Sequence, residues 1–212
     1  MENEEAAPAS AANAGALLTL RNSDPVGFLR DIGFHSGKSG DTPGNAFGFK
    51  IFYEHCWEGR LRDVWDFLEK ETAIRIIHLK RISLLHCLAS RSIAQETKAY
   101  TSLAPTADAA RDSCVKIEPR TARLFFERTA VMEREMDFRF RHHQIRTVYY
   151  EDMLHNLQGQ MDRIQDFLEV PRQPLVTFLK KQNTRGLRDM ITNYEELKAA
   201  FADSRWRAYF IE

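Results

Sequence analysis

No charge of one sign is in excess in this sequence: Lys and Arg number 30, and so do Asp and Glu. A nucleic-acid surface carries a basic surplus, so DNA and RNA are excluded as expected partners and any phosphate site has to be local. Cysteine is scarce, at three, and Cys56, Cys87 and Cys114 have neither CxxC nor zinc-type spacing. Scattered, odd-numbered thiols argue against a disulfide framework and fit a reducing, cytoplasmic compartment. Cys87 sits in the apolar run Leu84–Ala89 and reads as a small core residue. No apolar run approaches the roughly 20 residues that span a bilayer. The opening MENEEAAPASAANAG has no basic region ahead of an apolar one, so a secretory signal is not expected. A Walker A motif is excluded as well, because the glycine it needs before Gly37-Lys38-Ser39 is replaced by Ile32.

What is present is alternation. Residues 1–23 read as a disordered leader and 24–212 as one domain, incomplete on its N-terminal side. Loop composition fills Asp24 to Asn45. Phe47–Tyr53 (FGFKIFY) reads as a buried strand, Leu61, Val64, Trp65 and Leu68 as one helical face, and Ile74–Leu79 (IRIIHL) as a second strand. A helix is expected from about Ser83, a plausible N-cap, to Lys98. Residues 100–118 look irregular. Thr121–Arg141 reads as a charged amphipathic helix carrying Leu124, Phe125, Val131, Met132 and Phe138. A third strand follows at Ile145–Tyr150. The next helix, through Met161, Ile164, Phe167 and Leu168, should stop at Val170-Pro171. Helical pieces around 173–181 and 192–202 close the chain. Such alternation predicts an α/β fold with a mainly parallel sheet, which binds ligands beyond the C-terminal ends of its strands.

The richest stretch is IIHLKRISLLHCLASRSIA, from Ile76 to Ala94. A buried strand ends at Lys80-Arg81 and a helix begins almost at once. Arg81 stands at the strand's exit and Ser90 two turns into the helix. A guanidinium that forks onto two oxygens, with a hydroxyl for a third, suits a phosphate. The plainer alternative is a surface arginine and an ordinary helix serine. His142-His143 invites a metal reading, but adjacent side chains do not point alike on a helix or strand, so no metal is expected.

This stretch resembles the element that grips the 3′-phosphate of PAPS (3′-phosphoadenosine 5′-phosphosulfate) in PAPS-dependent sulfotransferases. The wording is closest to the bacterial carbohydrate- and lipid-modifying branch, which shows an "IIHLRRxNLLRxxxSxxIA"-like run. Ser83 replaces a common Asn, and His86-Cys87 replace basic or polar residues. Three more blocks follow the same order: GFKIFYEH (Gly48–His55), TVYYEDMLHN with IQDFLEVP (Thr147–Pro171), and KKQNTRGLRDMITNYEEL (Lys180–Leu197). In the family the Tyr-Glu-Asp run is mainly structural.

The resemblance implies a P-loop-NTPase-like, three-layer fold with a mainly parallel central sheet. It also implies PAPS as co-substrate and a carbohydrate or glycolipid acceptor. Arg81 and Ser90 would hold the 3′-phosphate, with Lys181, Arg185 and Arg188, around Gly186, on the nucleotide or on a merely solvated face. Transfer needs a base and charge balance on the leaving oxygen. Lys50 is the candidate for charge stabilisation. Glu54 or His55 is the candidate base; Glu54 occupies a position where the family has an acid, and an imidazole is the side chain that ordinarily titrates near neutrality.

One family element has no counterpart in the sequence. Sulfotransferases open with a strand and a loop like "PRSGTT", whose amides and helix N-terminus hold the 5′-phosphosulfate. Before Phe47 only Gly37-Lys38-Ser39-Gly40-Asp41-Thr42 imitates it, with no buried strand ahead and no long helix behind. The first strand and phosphate loop are therefore expected to be missing, which makes a catalytically inactive, nucleotide- or protein-binding relative the alternative function.

Overall fold

The computed structural model describes residues 18–31, 47–55, 61–100, 112–176 and 185–210. Residues 18–23 are helical. Asp24 then opens α1 (Pro25–Leu29): its carboxylate accepts the Gly27 amide at 2.8 Å, and Pro25 takes the first helical position. A proline there gives up only an amide that the helix leaves unpaired. The loop expected from Asp24 is corrected on this point, because Asp-Pro is a helix start that the surrounding glycines and serines obscured. The imitation loop Gly37–Thr42 and Cys56 lie outside the described residues.

Phe47–Tyr53 is a second correction. It forms no strand, and it leads into a turn at residues 53–55 with Phe47, Phe49 and Phe52 about half exposed. An apolar run offers side chains for a strand, but a strand exists only where another backbone pairs with it.

The chain divides into two compact units. The first contains α1, α2 (Arg62–Lys70) and the short segments 139–145 and 165–171. Val64, Trp65 and Leu68 are buried on α2 as their spacing predicts, joined by Phe67, whereas Leu61, expected on the same face, stands at the N-cap and is exposed. Trp65 packs against Phe140 with ring centres 6.0 Å apart, and Arg139 bridges to Asp66 at 3.2 Å and Glu69 at 2.8 Å. His143 is buried with Nε2 2.9 Å from the Leu68 carbonyl oxygen, whereas His142 is exposed, so the two histidines point apart.

The second unit carries the sheet, apart from its first residues. Strands β1 (Ile76–Lys80) and β2 (Ile145–Tyr149) pair in parallel, in the mixed helix–strand architecture of a P-loop-like α/β domain. Among the described residues the sheet has these two strands. Between them run α3 (Leu84–Thr97) and α4 (Pro119–Arg139). Ser83 caps α3 as expected: its backbone is extended and its Oγ accepts the His86 amide at 3.3 Å. The helix ends at Lys98, in the left-handed region at φ 60°.

After β2 come α5 (Tyr150–His155), α6 (Leu157–Leu168), α7 (Leu187–Met190), α8 (Tyr194–Ala200) and a 3-10 turn, Arg207–Phe210. The helical piece expected near 173–181 does not form over 173–176, and its remainder lies outside the described residues.

The core of this unit joins Leu85, Leu88 and Ala89 of α3 to Ala122 and Phe126 of α4 and to Leu187, Leu197, Phe201 and Phe210. Helix α4 buries Ala122, Phe126, Met132 and Met136, while Leu124, Val131 and Phe138 are more than half exposed. Of the apolar residues expected on this helix, Met132 is buried and Phe125 packs against the core, and the correction concerns Leu124, Val131 and Phe138, which face outward. The segment read as irregular also has partners: Val115 bridges Ile191 in parallel, and Asn193 hydrogen-bonds Ile117.

Candidate functional site

Parallel pairing puts the C-terminal ends of β1 and β2 on the same edge of the sheet. The residues that follow each strand can therefore meet, although about 70 residues separate them. Arg81 follows β1, and Tyr150-Glu151 follow β2.

The Arg81 Nε donates to Glu151 Oε1 at 3.1 Å. Glu151 Oε2 accepts the Ile82 amide at 2.9 Å, and Oε1 accepts the Ser83 amide at 3.5 Å. The guanidinium carbon lies 4.0 Å from the centre of the Tyr150 ring, a cation–π distance. Among the described residues, the terminal nitrogens of Arg81 make no hydrogen bond. One carboxylate and one ring thus hold the guanidinium and leave its two-pronged end unused.

Burial pushes the Glu151 carboxyl up, but the amide hydrogen bond from Ile82 and the charge of Arg81 outweigh it, and the net direction is down. Glu151 is therefore an anion in the working pH range. By sequence alone it falls in a structural run. The available signal is positional: an acid and an arginine each stand just past the end of a neighbouring parallel strand.

Ser90 is exposed on α3 and has no hydrogen bond to Arg81. Arg185 donates through Nη2 to the Ser113 carbonyl, and Arg188 pairs with Glu195 and lies 4.8 Å from the Tyr194 ring centre. Both arginines thus fasten the C-terminal segment. Lys181 lies outside the described residues.

Lys50, Glu54 and His55 all lie in segment 47–55 of the first unit, Glu54 and His55 within its turn, and all three are exposed. Lys50 Nζ is 4.8 Å from the Phe52 ring centre, and the His55 ring meets Phe52 edge-on at 5.1 Å. His55 Nδ1 faces the Phe52 amide at 3.4 Å, and the His55 carbonyl oxygen accepts from Trp65 Nε1 at 2.7 Å.

A second polar cluster joins β1 to α4. Asp137 accepts from Lys80 Nζ at 2.8 Å and lies 2.9 Å from Nδ1 of the buried His78. Burial, followed by the charge of Lys80, pushes the His78 pKa below its ordinary value, against the pull of Asp137. Among the described residues, no group of three or more His, Cys, Asp or Glu is placed to hold a metal. No described helix is long and apolar enough to cross a membrane.

Residues 124–210 match the family model of the sulfotransferase domain. Over that stretch, somewhat less than half of its length, the chain is similar to the sulfotransferase domain. The match takes in Tyr150, Glu151, Arg185 and Arg188. Lys50, Glu54, His55, Arg81 and Ser90 precede the matched stretch. The chemistry of a sulfotransferase domain is transfer of a sulfonate group from a small-molecule donor to an acceptor. Neither the curated proteins nor the solved structures yield a match.

Proposed function

We propose that this protein moves a sulfonate from PAPS to a hydroxyl of a carbohydrate or glycolipid, in the cytoplasm. The observation that carries the donor assignment is Arg81, beyond the end of a parallel strand, with its side chain held and its terminal nitrogens without a hydrogen-bond partner among the described residues. Such a fork suits the doubly charged 3′-phosphate of the nucleotide. Ser90 would add a hydroxyl, and Lys181, Arg185 and Arg188 would lie along the nucleotide.

Transfer is an in-line displacement at sulfur. The acceptor oxygen–sulfur bond forms as the bond from sulfur to the 5′-phosphate oxygen breaks. The acceptor proton passes to Glu54 or His55, and Lys50 balances charge on the leaving oxygen.

Calorimetry with adenosine 3′,5′-bisphosphate (PAP), the desulfonated nucleotide, tests the donor site. The native chain should bind it and Arg81→Ala should bind at least tenfold more weakly; equal affinities would remove Arg81 from the site. The exposure of Lys50, Glu54 and His55 favours a second reading, a nucleotide-binding relative that transfers nothing. It predicts PAP binding with no release of PAP from PAPS on any hydroxyl acceptor.

A further inference from the structure

We infer that Glu151 is a positioning residue for anion recognition, acting on the ligand only through Arg81. The inference rests on the donor-site reading given above. Three donors converge on this carboxylate: Arg81 Nε at 3.1 Å, the Ile82 amide at 2.9 Å and the Ser83 amide at 3.5 Å. Two effects follow.

The first concerns the arginine. An unrestrained guanidinium samples many rotamers, and binding then costs the entropy of ordering it. Here Glu151 fixes Nε while the Tyr150 ring, 4.0 Å away, fixes the plane. The remaining donors, Nη1 and Nη2, are presented as a pre-set pair to a doubly charged phosphate. The second concerns the backbone. The turn between β1 and α3 would otherwise offer its amides to an anion, as the start of a helix does. Glu151 already takes the Ile82 and Ser83 amides. Recognition at this turn therefore falls to the arginine fork, which prefers planar, paired oxygens over a monovalent halide.

The test is a double-mutant cycle on PAP binding by calorimetry, using the full chain with Glu151→Gln, Arg81→Ala and the pair. Glu151→Gln keeps the shape and removes the charge. It should weaken PAP binding at least tenfold. Added to Arg81→Ala, it should cost less than a further twofold, because the glutamate acts only through the arginine. Affinity within twofold of native in Glu151→Gln, or losses that multiply in the pair, would overturn the inference.

A ligand-free readout separates this claim from the donor reading. The Nε–Hε resonance of Arg81, assigned by its loss in Arg81→Ala, should exchange slowly with water in the native chain. It should exchange fast in Glu151→Gln at the same pH, and in the native chain its chemical shift should move as acid protonates Glu151. Absence of PAP binding by the native chain would sink the donor reading, and the resonance would still decide what Glu151 does. An Hε that exchanges equally fast in native chain and variant would sink the positioning role. Should Glu151→Gln fail to fold, the acid titration of the native resonance decides the same question.

Discussion

The Asn193 side chain hydrogen-bonds both backbone groups of Ile117, its Oδ1 accepting the amide and its Nδ2 donating to the carbonyl, each at 3.0 Å. Ile117 is buried, so an amide and a carbonyl that a strand would normally satisfy are satisfied by one carboxamide. Asn193→Ala should leave both unpaired and destabilise the protein by about 1–3 kcal/mol. Asn193→Asp keeps the acceptor and loses the donor, so it should fall between. Urea unfolding of the three proteins checks the order.

Phe126 touches the rings of Phe201, Trp206 and Tyr209 at 5.6, 5.7 and 5.0 Å between centres. Phe126→Ala should cost about 3–5 kcal/mol, the range for truncating a buried aromatic. Leu124→Ala, two positions away on the exposed face, should stay within about 0.5 kcal/mol of native. Equal losses in the two would contradict the orientation of α4.

That contrast shows where the sequence is readable. The Ser83 cap, the two strands and the face of α2 follow from local signals, because a capping hydroxyl or a run of β-branched residues acts within a few positions. The face of α4 does not follow. Leu124, Val131 and Phe138 are apolar at heptad spacing, and only the packing of residues 187–210 determines that Ala122 and Phe126 face inward instead. FGFKIFY misleads for the same reason, since pairing is a property of the neighbour. At the site, Arg81 is legible from its place after a strand. Glu151 is not, because its partners lie about 70 residues upstream and only the register of the parallel sheet brings them together.

The cluster of His78, Lys80, Asp137 and Glu133 gives stability a pH dependence of two signs. The His78 pKa is lowered from 6.5. The unfolded chain therefore takes up that proton first, and the contribution, present above about pH 6.5, is lost as pH falls. Burial raises the Glu133 pKa from 4.5, so its contribution is present below that value and is lost as pH rises through the folded pKa. Chemical denaturation between pH 5 and 7.5 should show His78→Gln flattening the acid-side decline and Glu133→Gln steepening it. A His78→Gln profile parallel to native would contradict the buried, neutral imidazole.

Lys98 terminates α3 with φ 60°, a conformation glycine adopts without strain. Lys98→Gly should raise stability by about 0.5–1 kcal/mol, being about 1–2 of relieved strain less about 0.4–1 of added chain entropy. A rise in the thermal midpoint measures it, and Lys98→Ala should show none.

On the proposed reading the acceptor proton passes to Glu54 in preference to His55, because Glu54 stands where the resembling family has an acid. Glu54→Gln should lower kcat about a hundredfold or more, the lower range for general-base removal. His55→Gln should lower it a few-fold. The reverse order would transfer the role to the imidazole.

The core of the second unit is closed by Leu187, Met190, Ile191, Tyr194, Leu197, Phe201, Trp206 and Phe210, against helices synthesised some 60 to 100 residues earlier. While the ribosome is still translating the intervening chain, Leu85, Ala89 and Phe126 have emerged without their partners. At roughly 5–20 residues per second, that apolar surface stays open to other contacts for several seconds on each pass of a ribosome. Nascent chains released before codon 187 should therefore be captured by chaperones or degraded, and they should not persist as smaller folded fragments.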